Sequence, residues 1–299
     1  MRRFQLTGLF IAFLTIHAQV VLAGGGAWVR TESGYYFKIG FTSLTAEEEY
    51  GFGGEDRPLF RDTNRFANGR IGFSNLTLYS EYGITDWLTS VISTQYTVAV
   101  READIIKRGM EGLVESESAS GLSDTWLSAR VRLLPNDSKV AGAATLGWKI
   151  PTGSPNKDIP LGTGVADYEA ALGFGTGFPV GPETYGYAQV SGGYRLRNKA
   201  SNEFNWQVET GIGLLPILGL QLILDGVEST ANLEEAELSP KNTLVFDELV
   251  GSQSFRRFSG GLLYALSDEM DLSAQFTTTL SGINTLNANA FAVGVAWKK

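Results

Sequence analysis

Side chains that alternate between apolar and polar recur along almost the whole chain, and this pattern limits the fold more than any other feature. Between Asp271 and Leu280, apolar residues such as Leu272 and Phe276 share one face, and polar residues such as Gln275 share the other. A period of two residues is that of a β-strand, whereas helical periodicity is scarce. After the N-terminal region no run of about 18 apolar residues occurs, so no membrane-spanning helix is predicted. The chain is predicted to be all-β.

Twelve segments with this alternation can be counted. They are 35–44, 72–82, 87–100, 121–133, 140–150, 167–178, 185–196, 204–214, 218–227, 253–266, 270–280 and 289–298. Short connections at 83–86, 134–139, 179–184, 215–217 and 267–269 alternate with mostly longer, more polar ones at 45–71, 101–120, 151–166, 197–203, 228–252 and 281–288. Such a rhythm is typical of outer-membrane barrels. We therefore predict a single domain over residues 24–299, a closed antiparallel transmembrane β-barrel of about 12 strands, with short periplasmic turns and long outer loops.

Aromatic residues are concentrated at the ends of these segments. One group flanks the short connections or the C-terminus and comprises Tyr82, Trp87, Phe178, Tyr185, Tyr264 and Trp297, while Trp148 and Trp206 lie near the opposite ends. Aromatic belts at the two membrane interfaces would give this distribution. A soluble β-sandwich also alternates and is the alternative fold, but it explains the strand count and the N-terminus less well.

The first residues have the features of a secretory signal peptide. Arg2 and Arg3 precede a short apolar run, 9–16, and Ala23 ends a small-residue cleavage site. This order of charged, apolar and small residues is typical of a leader that is removed during export. We expect residues 1–23 to be cleaved and the rest to reach the bacterial outer membrane; a retained anchor is the alternative.

Charge and composition exclude several classes of function. The net charge is −8, and it becomes −10 without Arg2 and Arg3, which disfavours binding to nucleic acid. The chain has no cysteine, and its one histidine, His17, lies in the predicted leader. Nucleophile pairs with histidine and zinc sites of histidine or cysteine are thereby excluded from the exported chain. We predict no catalytic residue, no metal site, no cofactor and no enzymatic activity.

If the apolar face contacts lipid, the opposite face lines a lumen. The candidate lumen-lining residues are Lys38, Asp124, Arg130, Arg132, Lys149, Glu169, Gln189, Arg195, Gln207, Glu209, Arg257 and Gln275. Their charges are of both signs, so they could form the ion pairs that fill a modest barrel. They could also line a solute path, and both interpretations can hold in part. The acidic runs 47–49 and 234–237 are predicted to be solvated surface of outer loops.

Several motifs between residues 121 and 168 are similar to a known family. They are Gly121-Leu122-Ser123-Asp124, Arg130-Val131-Arg132-Leu133-Leu134, Trp148-Lys149-Ile150-Pro151-Thr152-Gly153, Leu161-Gly162-Thr163-Gly164 and Asp167-Tyr168, together with Tyr82-Gly83-Ile84-Thr85-Asp86-Trp87 further upstream. The sequence resembles the phenol-degradation MetA-pathway family of outer-membrane barrels, which is distantly similar to long-chain fatty-acid and toluene transporters. The resemblance implies a barrel for the uptake of hydrophobic or aromatic compounds and carries over no binding residues. Residues 24–34 are too short for the N-terminal plug of the fatty-acid transporters.

The function predicted first is passive passage of small solutes, hydrophobic or aromatic in character, through an outer-membrane channel or transporter. No nucleotide-binding motif supplies energy, so transport would follow a gradient. The alternative is a structural barrel whose outer loops at 45–71, 101–120 and 228–252 bind a partner. Outer-membrane lipid is the predicted surrounding, and the sequence identifies neither the solute nor an oligomeric state.

Overall fold

A computed structural model describes residues 26–59, 66–105, 113–198, 200–230 and 253–299. The predicted leader lies outside the described residues. In this part of the chain, no helix is both long and apolar enough to cross a membrane.

Fourteen β-strands form within the described residues. They are β1 (Tyr35–Tyr50), β2 (Asp56–Pro58), β3 (Phe66–Thr85), β4 (Leu88–Ile105), β5 (Val114–Leu122), β6 (Thr125–Arg132), β7 (Ala141–Ile150), β8 (Asp167–Pro179), β9 (Tyr185–Leu196), β10 (Glu203–Leu215), β11 (Leu218–Ser229), β12 (Ser254–Ala265), β13 (Met270–Ile283) and β14 (Thr285–Lys298).

The strands close into one barrel. Each wall strand pairs antiparallel with its neighbour, and β14 pairs with β1, with Gly294 opposite Gly40. Strands β5 and β6 both pair with β4, so they form one wall strand that is interrupted at Ser123 and Asp124. Strand β2 is a short addition to the outer end of β1. The wall therefore has twelve strands, which confirms the predicted count and closure, and closure satisfies the backbone hydrogen bonds within the membrane.

The two faces of the wall differ as the alternation predicts. On β14, Phe291 is 65% exposed and Val293 is 56% exposed, whereas the neighbouring inward residue Ala296 is 5% exposed. Outward aromatic residues at the end with the short turns include Tyr82 and Trp87, both about half exposed. An apolar outer surface with aromatic residues at its edges is the surface that a barrel presents to lipid.

Three predicted outer loops are largely strand. The connection 45–71 was predicted as loop, but β1 continues to Tyr50 and β3 begins at Phe66. Similarly, β4 and β5 extend into 101–120, and β13 and β14 are joined at Asn284, whose φ is 53°. Outside the lipid, a strand can carry polar side chains on both faces without a free-energy penalty. Its sequence then lacks the apolar–polar alternation by which a strand is predicted.

The acidic run 47–49 therefore lies in β1 and not in a loop. Glu49 pairs with Arg57 at 2.9 Å, and Glu102 on β4 accepts a hydrogen bond of 2.6 Å from Arg70 on β3. These pairs hold the outer ends of the strands together. The second acidic run, 234–237, lies outside the described residues.

Candidate functional site

The residues before β1 enter the barrel at the end with the short turns, which is the periplasmic end in barrels of this kind. We call residues 26–34 the strap. The backbone N–H of Ala27 donates to Gln189 Oε1 on β9 at 3.3 Å, and that of Arg30 donates to Thr89 Oγ1 on β4 at 2.8 Å. The side chain of Arg30 also reaches Glu81 on β3, five places from β9 in the ring of twelve. The strap thus crosses the lumen.

Ion pairs fix the strap to one side of the lumen. Arg30 Nε lies 2.6 Å from Glu81 Oε2, and Arg130 Nη1 lies 2.9 Å from Glu81 Oε1. Tyr79 donates its hydroxyl to the same carboxylate at 2.6 Å, and Arg130 donates to the carbonyl of Trp28 at 3.2 Å. Glu81 and Arg130 are at most 1% exposed. A buried carboxylate between two guanidinium groups is well compensated, and removing both groups would leave a costly unpaired charge.

Aromatic packing holds the strap on the opposite side. The rings of Trp28 and Tyr187 meet edge to face with centroids 5.8 Å apart. A β-carbon on Gly175 would collide with the Trp28 ring, so β8 needs glycine where the strap passes. The strap therefore obstructs part of the lumen. Its position depends on contacts far away in sequence, which no local pattern reveals.

A second polar cluster lies on β9 to β11, next to the strap. The Glu209 carboxylate is 1% exposed and accepts hydrogen bonds from Tyr187 and from the three amides of Gln189, Gln207 and Gln221, the latter at 2.8, 2.6 and 2.8 Å. Three of the residues predicted to line the lumen are therefore brought together here. Four donors to one carboxylate satisfy its lone pairs without a cation.

The outer end of the lumen is organised around Asp124, between β5 and β6. Its carboxylate accepts hydrogen bonds from the backbone N–H groups of Gly153 and Thr163, each at 3.0 Å. Lys149 on β7 lies 3.5 Å from Asp124 and also pairs with Asp167. Both ends of the connection 151–166 are thus attached to the inner wall.

The connection 151–166 folds inward over the outer mouth. Its side chains Ile159 and Leu161 are 0% and 6% exposed, and they join an apolar cluster with Ile71 and Phe73 on β3 and Ala99 on β4. Burial of these two side chains stabilises the inward position by about 3–6 kcal/mol, taking 1.5–3 kcal/mol for each. The motifs at 148–153 and 161–164 therefore flank or lie in a segment that covers the outer mouth of the lumen.

The remaining charged candidates on the outer half of the wall are also paired. Arg195 lies 3.0 Å from Glu169 and 3.4 Å from Glu203, and its guanidinium lies over the Trp126 ring at 4.7 Å. Arg257 on β12 lies 2.8 Å from Asp225 on β11. These contacts cross-link neighbouring strands and occupy the lumen beside β6 to β12.

Three of the residues predicted to line the lumen have side-chain groups without a polar partner in the described part of the chain. Within the described residues, the side chains of Lys38 and Arg132 and the Nε2 atom of Gln275 have no ion pair or hydrogen bond. Lys38 and Gln275 face the interior from β1 and β13, where the inward neighbours are small. Those neighbours are Gly40, Thr42, Ser273, Thr277, Ala290, Ala292, Gly294 and Ala296.

Sequence reasoning missed some members of these networks. Glu81 and Asp167 alternate onto the inward face of predicted strands, so the same period of two could have identified them. Arg30 could not be identified, because it precedes the first strand and has no periodic context.

A cavity of about 620 Å³ opens at the periplasmic end, between the strap and the wall. Strap residues Trp28 and Arg30 line one side, and small residues such as Gly211, Gly219 and Ala296 line the other. This volume lies in the range of sites for small molecules.

The chain has the fold of a solved outer-membrane channel. It matches the COG4313 outer-membrane channel from Pseudomonas putida F1 with a TM-score of 0.58 and 14% identity, over 93% of this chain and 100% of the other. Looser matches include the NanC porin, with a TM-score of 0.48, 6% identity and coverage of 89% and 100%, and a Pseudomonas aeruginosa FadL homologue, with a TM-score of 0.39, 8% identity and coverage of 88% and 90%. No family model and no curated protein sequence matches the chain.

The shared fold and the apolar outer face place the chain in the bacterial outer membrane, surrounded by lipid. The resemblance to the MetA-pathway family is not confirmed, because no family model matches. At 14% identity the structural likeness concerns the fold.

Proposed function

We propose that this barrel is a passive channel through which small hydrophobic or aromatic solutes cross the outer membrane. The observation that carries the proposal is the cavity of about 620 Å³ that opens at the periplasmic mouth and passes beside the strap. The strap and the connection 151–166 are anchored mainly to β3 to β9. The wall of β13, β14 and β1 carries small inward side chains, and we place the passage along it.

The lining of the cavity favours solutes with an apolar part. Trp28, Tyr36, Tyr187 and Leu134 contribute ring and aliphatic surface to it. Aromatic side chains at these positions can contact a flat ring of a solute in offset or edge-to-face geometry. A passage with such walls and a few polar groups discriminates by shape and polarity without any chemical step, so the proposal includes no enzymatic activity.

The paired charges have a structural part in this proposal. The pairs around Glu81, Asp124 and Glu203 hold the strap, the inward connection and the strands in place. A structural barrel with partner-binding loops has less support, because two of its three long loops, 45–71 and 101–120, are largely strand.

Swelling of proteoliposomes tests the channel function. Vesicles with refolded protein should swell in isotonic solutions of small neutral solutes, at rates that fall with solute size, and a small aromatic alcohol should slow this swelling. Vesicles with heat-denatured protein are the control. Swelling no faster than in the control, with protein that is folded and inserted, would contradict the proposal.

A further inference from the structure

We propose that Lys38 is a binding site for the carboxylate of small organic anions that pass through the barrel. The inference rests on the proposed channel function and deepens it by naming a class of solute. The first observation is the pairing of charges in the interior of the barrel. Most inward cations have a carboxylate partner in the described residues; these are Arg30, Arg101, Arg130, Lys149, Arg195, Arg197, Arg257 and Lys298.

Lys38 differs from these cations because its ammonium group has no carboxylate partner among the described residues. It lies on β1 opposite Tyr79 on one side and Ala296 on the other, with its side chain on the inward face. No ion pair or hydrogen bond to it occurs in the described part of the chain. A half-buried ammonium group without a partner has lost water and gained no compensating contact, and an anion would supply that contact.

The wall around Lys38 is shaped to receive its side chain. A β-carbon on Gly294 would lie 2.7 Å from Lys38 Cε and 3.0 Å from Ser273 Oγ. The Lys38 side chain therefore lies across Gly294, between β1 and β13. Any larger residue at position 294 would push the side chain out of this groove.

Further donors lie near the same place. Gln275 is the next inward residue after Ser273 on β13, and its buried Nε2 atom has no hydrogen-bond partner. Thr42, the second inward residue after Lys38, lies beside Ala292, which is also the partner of Gln275. The patch thus combines one ammonium group with an amide and hydroxyl groups. Such a set of donors suits the two oxygens of a carboxylate.

The surroundings contain no competing free carboxylate. Asp271, two positions before Ser273, is paired with Lys298, and Glu81, opposite Tyr36, is paired with two arginines. Among the described residues, therefore, no acidic side chain neutralises Lys38. A solute anion would fill this role.

The cavity below the patch suggests what the rest of the anion is. It extends to Ser273 and Ala296, the residues that border the Lys38 groove, and it is lined by Tyr36 and Trp28. An aromatic or aliphatic group would contact these rings while its carboxylate meets Lys38. Arg132, whose side chain also has no ion pair among the described residues, lines the same cavity and would attract anions to its mouth.

Ion selectivity in planar bilayers tests the site. Under a KCl gradient we expect the reversal potential of the wild-type channel to indicate a preference for anions, and Lys38→Gln to shift it towards cations. Lys38→Arg keeps the charge and should keep the preference. Arg70→Gln, which removes an exposed positive charge from the outer end of β3 and away from the cavity, is the matched control and should leave it unchanged.

A comparison of benzoate with benzyl alcohol distinguishes the contribution of the carboxylate to binding from that of the aromatic ring. Benzoate should reduce the wild-type current at lower concentration than benzyl alcohol, and Lys38→Gln should weaken the effect of benzoate roughly tenfold, as expected for loss of a hydrogen bond to a charged group. An open Lys38→Gln channel with the wild-type reversal potential and benzoate response would overturn the inference and leave the channel function intact.

Calorimetry tests the Lys38 site independently of any current. A barrel that carries no current would contradict only the channel function. Titration of benzoate into the folded protein in detergent should give binding that Lys38→Gln weakens roughly tenfold and Arg70→Gln does not. Equal binding by all three proteins, or no binding at all, would refute a site at Lys38.

Discussion

Gly153 and Gly162 lie backbone to backbone at the two ends of the inward connection. A β-carbon on Gly153 would lie 2.7 Å from the Cα of Gly162, and one on Gly162 would lie 2.6 Å from the Cα of Gly153. Only glycine permits this approach, which brings the N–H groups of Gly153 and Thr163 to the same carboxylate, that of Asp124. The inward fold of residues 151–166 depends on this crossing.

Gly162→Ala should therefore release the connection from the outer mouth. The added methyl group overpacks the crossing, at a cost of about 1–3 kcal/mol. Amide hydrogen exchange over residues 151–166 should become faster by about tenfold or more, since tenfold corresponds to 1.4 kcal/mol of local stability. Gly177→Ala is the control, because a β-carbon there lies 3.8 Å from its nearest neighbour and fits. Equal protection in both variants would show that the crossing does not hold the connection.

Asp124→Asn should destabilise the barrel while leaving its shape unchanged. The amide keeps the size of the side chain but loses the negative charge that accepts from Gly153, Thr163 and Lys149. Hydrogen bonds to a charged group contribute about 1.5–3 kcal/mol, so the free energy of unfolding should fall by roughly this amount. Urea denaturation in lipid vesicles measures the change. The exposed turn residue Asp137 provides the control, and Asp137→Asn should have no effect; equal midpoints for both variants would count against the account of Asp124.

Arg30→Ala should free the strap without unfolding the barrel. Glu81 keeps its pair with Arg130, so the free energy of unfolding should fall by only about 1.5–3 kcal/mol, as for loss of one hydrogen bond to a charged group. Arg130→Ala removes the fully buried partner of Glu81 and also the hydrogen bond from the wall to the Trp28 carbonyl. The free energy of unfolding should therefore fall by about 3–5 kcal/mol. Single-channel conductance should rise in Arg30→Ala as the strap leaves the lumen. A conductance equal to wild type would mean that the strap does not obstruct the path.

Ala292→Trp should narrow the passage along the small-residue wall. Position 292 faces inward on β14, whereas Val293 beside it is 56% exposed on the lipid side. A tryptophan at 292 would fill space in the lumen and lower the conductance to a fraction of the wild-type value, and one at 293 would enter lipid. Val293→Trp is thus the matched control and should conduct as wild type. Equal conductance of the two variants would place the path elsewhere.

The membrane part of this fold was open to prediction from sequence because lipid imposes the pattern. Residues such as Phe276 and Phe291 must face hydrocarbon, so the alternation appears in the sequence and gives both the twelve strands and their inward faces. Outside the lipid this constraint ends. Strand β1 therefore continues through Glu47 to Glu49 without an apolar face, and the sequence suggested a loop.

The two obstructions of the lumen could not be predicted in the same way. The strap has no period, and its anchors Glu81 and Gln189 are 51 and 162 residues away from their partners. In the connection 151–166, Ile159 and Leu161 stand among glycine and polar residues, and nothing local shows that they pack on Phe73. Such contacts between distant parts of the chain are set by the closed wall, not by the residues next to them.

Conductance of the refolded protein in a planar bilayer tests the central claim most directly. We expect stable steps of current, which a small aromatic alcohol reduces as it enters the cavity beside Trp28 and Tyr187. A barrel that is folded and inserted, as shown by its heat-dependent mobility in gels, but carries no current would contradict the account of this protein as an open channel.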